Sequence, residues 1–107
     1  MDFLSHRRRT NPYTRWVKGK PGLAWNVSTL AESATTPWAN SYTTLTWNSY
    51  LGGYPITVPS GLSGGEWTCL IYDNATPADT DEALPESRYV QVNSAGGVAA
   101  GRFLSSI

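Results

Sequence analysis

Trp67-Thr68-Cys69-Leu70-Ile71-Tyr72 is the stretch that decides the fold of this 107-residue chain. A strand covered on one side alternates apolar and polar residues, whereas one covered on both sides reads as a continuous apolar run. Residues 67–72 are apolar on both faces, so they predict a central strand. Just before them, Gly61-Leu62-Ser63-Gly64-Gly65 reads as a tight turn, and Tyr54, Ile56 and Val58 share one face of a strand that stops at Pro59. Just after them, residues 73–85 form a long acidic loop that leads to a last clear strand over residues 88–92.

Further out the same pattern continues. Tyr-Thr-Thr-Leu-Thr-Trp over residues 42–47 is a β run with Leu45 and Trp47 on one face. Thr35 to Asn40 is loop-like around Pro37, with Trp38 as a plug. In residues 23–30, Leu23, Trp25 and Val27 alternate with Ala24, Asn26 and Ser28. Residues 16–18 form a short first strand, stopped by Gly19-Lys20-Pro21-Gly22. The tail, residues 93–107, is rich in Gly and Ala and has no strand pattern. No window of eleven or more residues shows helical periodicity. Five to seven short strands at about ten-residue spacing predict an all-β sandwich or small barrel. No internal repeat is present.

Charge divides the chain in two. Residues 1–20 hold Arg7, Arg8, Arg9, Arg15, Lys18 and Lys20 against Asp2 alone, a net of +5. Residues 21–107 hold only Arg88 and Arg102 against seven acids, a net of −5. The formal neutrality is a cancellation between a basic arm and an acidic body. Such an arm stays solvated or lies on an acidic surface. Three readings of it are open: docking on an acidic protein surface or a neighbouring copy, a solvated tail, and nucleic-acid binding through Arg7-Arg8-Arg9 with Phe3 and Tyr13. The acidic body disfavours the last, because it repels a polyanion.

The five Trp and six Tyr exceed what so small a core needs, and some rings are expected to face a partner. Cys69, the only cysteine, rules out an internal disulfide and a cysteine-based zinc site, and reads as a small buried hydrophobe. The N-terminus has no apolar stretch after its charges, so it does not read as a secretory signal, and no segment approaches a membrane span.

Chemical motifs are sparse. Residues 61–65 match Gly-x-Ser-x-Gly, but a nucleophile elbow needs a preceding strand, a following helix and a base. Here a strand follows, and the single histidine, His6, lies in the basic arm. Asp73, Asp79, Asp81, Glu82 and Glu86 read as a solvated acidic loop, since their spacing is not that of a calcium loop. Two asparagine sequons, at Asn26 and Asn74, carry no weight without a secretory signal.

Residues 45–92 resemble a segment found in many virion proteins of tailed bacteriophages. The resemblance rests on Tyr54-Pro55-Ile56-Thr57-Val58-Pro59, Gly61-Leu62, then Gly65-Glu66-Trp67-Thr68-Cys69-Leu70-Ile71-Tyr72-Asp73. It continues through Asn74-Ala75-Thr76-Pro77-Ala78-Asp79-Thr80-Asp81-Glu82 to the strand at residues 88–92. It implies a small immunoglobulin-like β-sandwich used as a fibre, baseplate or head-surface module, and no catalytic residues.

The resulting expectation is an all-β, immunoglobulin-like sandwich over residues 21–107, preceded by an extended basic arm over residues 1–20. The expected role is that of a bacteriophage virion structural protein, a capsid decoration or cement protein and not an enzyme, with no cofactor or metal. A tail or baseplate adaptor or fibre-attachment subunit is one alternative, and a carbohydrate-binding module for host-surface sugars is another. Expected partners are other virion proteins (capsid or tail subunits) and further copies of the chain, in the virion and, during assembly, in the host cytoplasm, with no membrane. The expected contact residues are Phe3, Arg7, Arg8, Arg9, Tyr13, Arg15, Trp16, Lys18 and Lys20.

Overall fold

The apolar run at residues 67–72 forms the middle of a nine-residue strand, β6, Gly65–Asp73. Its neighbours were identified in a computed structural model that describes residues 9–19, 22–93 and 102–105. On one side β6 pairs with β7 (Arg88–Val92), in the register Gly65↔Val92 to Cys69↔Arg88. On the other it pairs along its length with β1 (Pro12–Lys18), from Pro12↔Asp73 to Lys18↔Trp67.

The second edge of β1 is shared. Residues 13–15 pair with β4 (Tyr42–Thr44), and residues 17 and 18 pair with β2 (Leu23–Asn26), which in turn carries β3 (Ala31–Ser33). All these pairings are antiparallel. A second antiparallel sheet holds β5 (Tyr54–Thr57) and β8 (Arg102–Ser105). The expected all-β architecture is thus present as two antiparallel sheets packed across one apolar core, an arrangement compatible with a sandwich.

Antiparallel partners point to the same face, so the β1–β6 register sorts the central side chains. Trp16, Thr14 and Lys18 share a face with Cys69, Ile71 and Trp67. This face meets Tyr54, Ile56, Val58 and Leu62 in the main core, where Trp16 also makes an edge contact with Phe103 of β8 at 6.4 Å. Gly53 lets the second sheet close: a Cβ there would sit 2.7 Å from the Ser105 carbonyl oxygen. Tyr13, Arg15 and Val17 share the opposite face with Tyr72, Leu70 and Thr68.

Two expectations are corrected. Residues 12–18, placed within an extended basic arm with only 16–18 read as a short strand, form one continuous strand paired on both edges at the centre of the larger sheet. The charges of Arg15 and Lys18 masked its period, in which Thr14 and Trp16 face the main core and Tyr13 the other side. The tail, read as patternless, supplies β8 at residues 102–105. The short strand at residues 31–33 was likewise hidden in a region with no clear alternation.

Trp67 has no exposed surface, whereas Tyr89 of the adjacent strand is 71% exposed. Trp67→Ala is therefore expected to cost about 3–5 kcal/mol in a urea titration, and Tyr89→Ala to stay within about 0.5 kcal/mol of wild type.

Candidate functional site

Of the residues expected to contact a partner, Phe3, Arg7, Arg8 and Lys20 lie outside the described residues. The other five are brought against their own domain. Trp16 is 4% exposed in the main core, and Tyr13 is fully buried on the opposite face. There Tyr13 stacks on Tyr72 with centroids 4.8 Å apart and planes 9° from parallel, and it meets Trp38 and Tyr42 at 6.2 and 5.3 Å. The guanidinium of Arg15 lies 4.6 Å over the Trp38 ring and donates from Nε to Ser41 Oγ at 3.0 Å. These rings account for much of the apparent aromatic surplus: they form a second cluster on the reverse of the sheet. Tyr13 and Trp16 are thus both buried within this chain's own fold.

Arg9 lies at the rim of the acidic loop, 3.8 Å from Glu86, and its carbonyl accepts a hydrogen bond from the Tyr54 hydroxyl. The acidic loop is tied to the same end of β1. Asp73 accepts from the Asn11 N–H at 2.8 Å. Asp81 accepts from the Tyr13 hydroxyl, from Asn74 Nδ2 and from the Ala78 N–H. Those donors, the Tyr13 hydroxyl foremost, hold the Asp81 carboxyl below its ordinary value. Burial, followed by the bond to Asp81, pushes the Tyr13 phenol upward. The loop expected to be merely solvated is thus partly a latch over the aromatic cluster. Among the described residues no three His, Cys, Asp or Glu side chains gather as a metal site.

Lys18 and Ser63 are drawn into one network. Lys18 Nζ donates to Ser63 Oγ and to the Gly64 carbonyl, both at 2.8 Å. Ser63 donates from its N–H and its hydroxyl to the two oxygens of Glu32, at 3.0 and 2.9 Å. Trp67 Nε1 donates to the Ser63 carbonyl at 2.9 Å. A lysine could replace the missing histidine as base, yet the bonds run the other way. Lys18 donates to the serine oxygen, and the serine hydroxyl donates to Glu32. The arrangement ties β1, β3 and the 61–65 turn together. Cys69, opposite Trp16, is fully buried, and burial pushes its thiol up to about 12, which keeps it protonated and unreactive.

The surface offers two other features. A groove of about 320 Å³ opens between β5 and the β1–β2–β4 side of the larger sheet. Its described lining is uncharged, with Trp16, Trp25 and Ile56 within and threonines 14, 43, 44 and 57 around them. At its lip stands Leu30, 68% exposed and held at φ 57, a backbone region costly for a branched side chain. Asn26 braces that turn, accepting from Ser28 and Thr29 through Oδ1 and from Leu30 through its carbonyl.

The second feature is the turn over residues 48–53, which displays Tyr50 at 95% exposure and Leu51 at 51%. Periodicity could not find either one. The groove arises between distant segments, and a loop tyrosine reads alike whether buried or displayed.

The Tyr13–Asp81 latch fixes a pH dependence. Asp81 has a lowered carboxyl value when folded, so its contribution is present above the ordinary 3.8 and is lost as pH falls through the folded value. Tyr13 is raised, so its contribution is present below the ordinary 10.0 and fades as pH rises above it. The thermal midpoint should fall at both extremes, and Tyr13→Phe should flatten both limbs in a melting series across pH.

No protein-family model matches the chain, and no curated protein or solved structure matches it.

Proposed function

We propose that this chain is a non-catalytic structural protein of a tailed-bacteriophage virion, a capsid decoration or cement protein with an immunoglobulin-like body. The observation that carries the reading is the resemblance of residues 45–92, the span of β5, β6, the acidic loop and β7. The body also suits a load-bearing part. Its acidic loop is tied to β1 through Asp81 and its 61–65 turn to β3 through Glu32, an arrangement that resists local opening.

A docking role for the basic N-terminal sequence now rests on Phe3, Arg7, Arg8, Arg9 and Lys20, since Arg15 and Lys18 are engaged within the domain. Cations of this kind give salt-sensitive steering and modest affinity, with apolar burial supplying the rest. The alternative location is the tail or baseplate. Carbohydrate binding through Trp and Tyr platforms is the weaker alternative, because sugar stacking needs open ring faces: none of the five tryptophans is exposed, and of the tyrosines only Tyr50 and Tyr89 are. No helix among the described residues is long and apolar enough to cross a membrane.

Purified virions separated into heads and tails, and probed for the chain with quantitation of copies, test the reading. Many copies on heads are expected. Recovery with tails alone would move the protein to the adaptor role, and absence from both fractions would overturn the virion assignment.

A further inference from the structure

Residues 75–83, the middle of the acidic loop, cross the end of β1 and are fastened to it at one point. None of these residues is buried, so no apolar side chain of the segment is sunk in either core. Its two ends are anchored by backbone bonds. At the first, the Asn74 N–H donates to the Asn11 carbonyl at 3.0 Å; at the second, the Leu84 N–H donates to the Ile71 carbonyl at 2.7 Å. The Ile71 N–H in turn donates to Ser87 Oγ at 2.8 Å, and Leu84 packs against the main core. Between the anchors, and among the described residues, the segment has one hydrogen bond to a strand. It is the bond that Asp81 accepts from the Tyr13 hydroxyl.

That fastening depends on a single negative charge. Asp81 Oδ2 takes the Tyr13 hydroxyl and the Ala78 N–H, the latter at 3.0 Å, while Oδ1 takes Asn74 Nδ2 at 2.8 Å. An ionised carboxylate accepts all three, but a protonated one carries a hydrogen of its own and gives up the extra strength of a charged acceptor. The same carboxylate organises the segment internally, where the Asp81 N–H donates to the Ala78 carbonyl and the Thr76 N–H to Asn74 Oδ1, both at 3.0 Å. The segment is therefore a small unit with a defined shape and one clasp.

The charges around the clasp do not replace it. Tyr13 faces Asp81 from β1, and behind it lies Tyr72 of β6, whose hydroxyl accepts from Arg15 Nη1 at 3.4 Å. The Arg15 guanidinium is otherwise engaged by Ser41 and the Trp38 ring. Asp73 caps Asn11, Arg9 lies beside Glu86, and Asp79 and Glu82 are exposed on the segment itself. Among the described residues no cation forms an ion pair with Asp81. The aromatic cluster around Tyr13 also carries a cost in its closed packing, because Trp38 Nε1 is buried there with no hydrogen-bond partner among the described residues.

We propose that residues 75–83 form an acid-released strap, fastened to β1 while Asp81 is ionised and opening about Asn74 and Leu84 when Asp81 is protonated, with both sheets still paired. None of the strand pairings that build the sheets runs through the segment. The sign follows from Asp81: its folded carboxyl is held below the ordinary 3.8, so closure is favoured above 3.8 and is lost as pH falls through the folded value. Opening makes this loop a separate cooperative unit of the domain. The inference goes beyond the virion reading and does not depend on it.

Residue-resolved amide exchange on the full chain, expressed as protection relative to the unfolded chain, tests the strap. Near neutral pH, Tyr13→Phe keeps the ring and removes the clasp, so the Thr76, Ala78 and Asp81 amides should lose protection by about tenfold to a hundredfold. The amides of Trp16, Ile71 and Val90 should stay as in wild type. In wild type the same three loop amides should lose protection on acidification while those of β1 and β6 keep theirs, and Asp81→Asn should show the open pattern at every pH. The wild-type acid series decides should either variant fail to fold. Loop amides that lose protection only together with β1 and β6, or a folded Tyr13→Phe variant whose loop exchanges as in wild type, would overturn the inference.

Discussion

The structure depends on the pairing of β1 with β6. The register from Pro12↔Asp73 to Lys18↔Trp67 joins β1 to a strand far along the chain. Every other pairing in the larger sheet is to one of these two strands or to β2, which itself hangs on β1. The register also sets what each face must be. It aligns Thr14, Trp16 and Lys18 with Ile71, Cys69 and Trp67 for one core, and Tyr13 with Tyr72 for the other. A slip of one residue would exchange the two sets and place Arg15 against the apolar main core.

Both ends of this pair are secured by polar side chains. At one end Asp81 accepts the Tyr13 hydroxyl and Asp73 caps Asn11. At the other Glu32 and Lys18 hold Ser63 and the turn into β6. A small core leaves little stability to spare, and hydrogen bonds to charged groups are stronger than neutral ones. The acids and bases of the body thus act largely in closing the fold, which is why net charge alone was a poor guide to what they touch.

Residues 67–72 announced a central strand because apolar side chains fall on both of its faces, and β5 and β7 announced themselves through Tyr54 with Ile56 and through residues 88–92. By contrast β1 was hidden. Arg15 and Lys18 look solvated in a charge count, yet their charged ends lie over Trp38 and Trp67 and hydrogen-bond to Ser41 and Ser63. The aromatic excess was visible, but its destination was not, because a second cluster behind the sheet exists only once Tyr13, Tyr42 and Tyr72 are brought into register. The tail strand β8 lacked a signal for a similar reason. Its residues earn their strand from pairing with β5, with Phe103 packed on Trp16, and not from any period of their own. Of the candidate surface, Leu30 and Tyr50 carry no mark in one dimension.

Amide hydrogen exchange on the full chain tests the account most directly. If β1 is the centre of the sheet, the N–H groups of Thr14, Arg15, Trp16 and Val17 belong to the slowest-exchanging class together with those of Cys69 and Ile71, and they open only with global unfolding. Exchange of the β1 amides at the rate of an unprotected chain, while β6 and β7 stay protected, would show that the first strand is a detachable arm and would contradict the account.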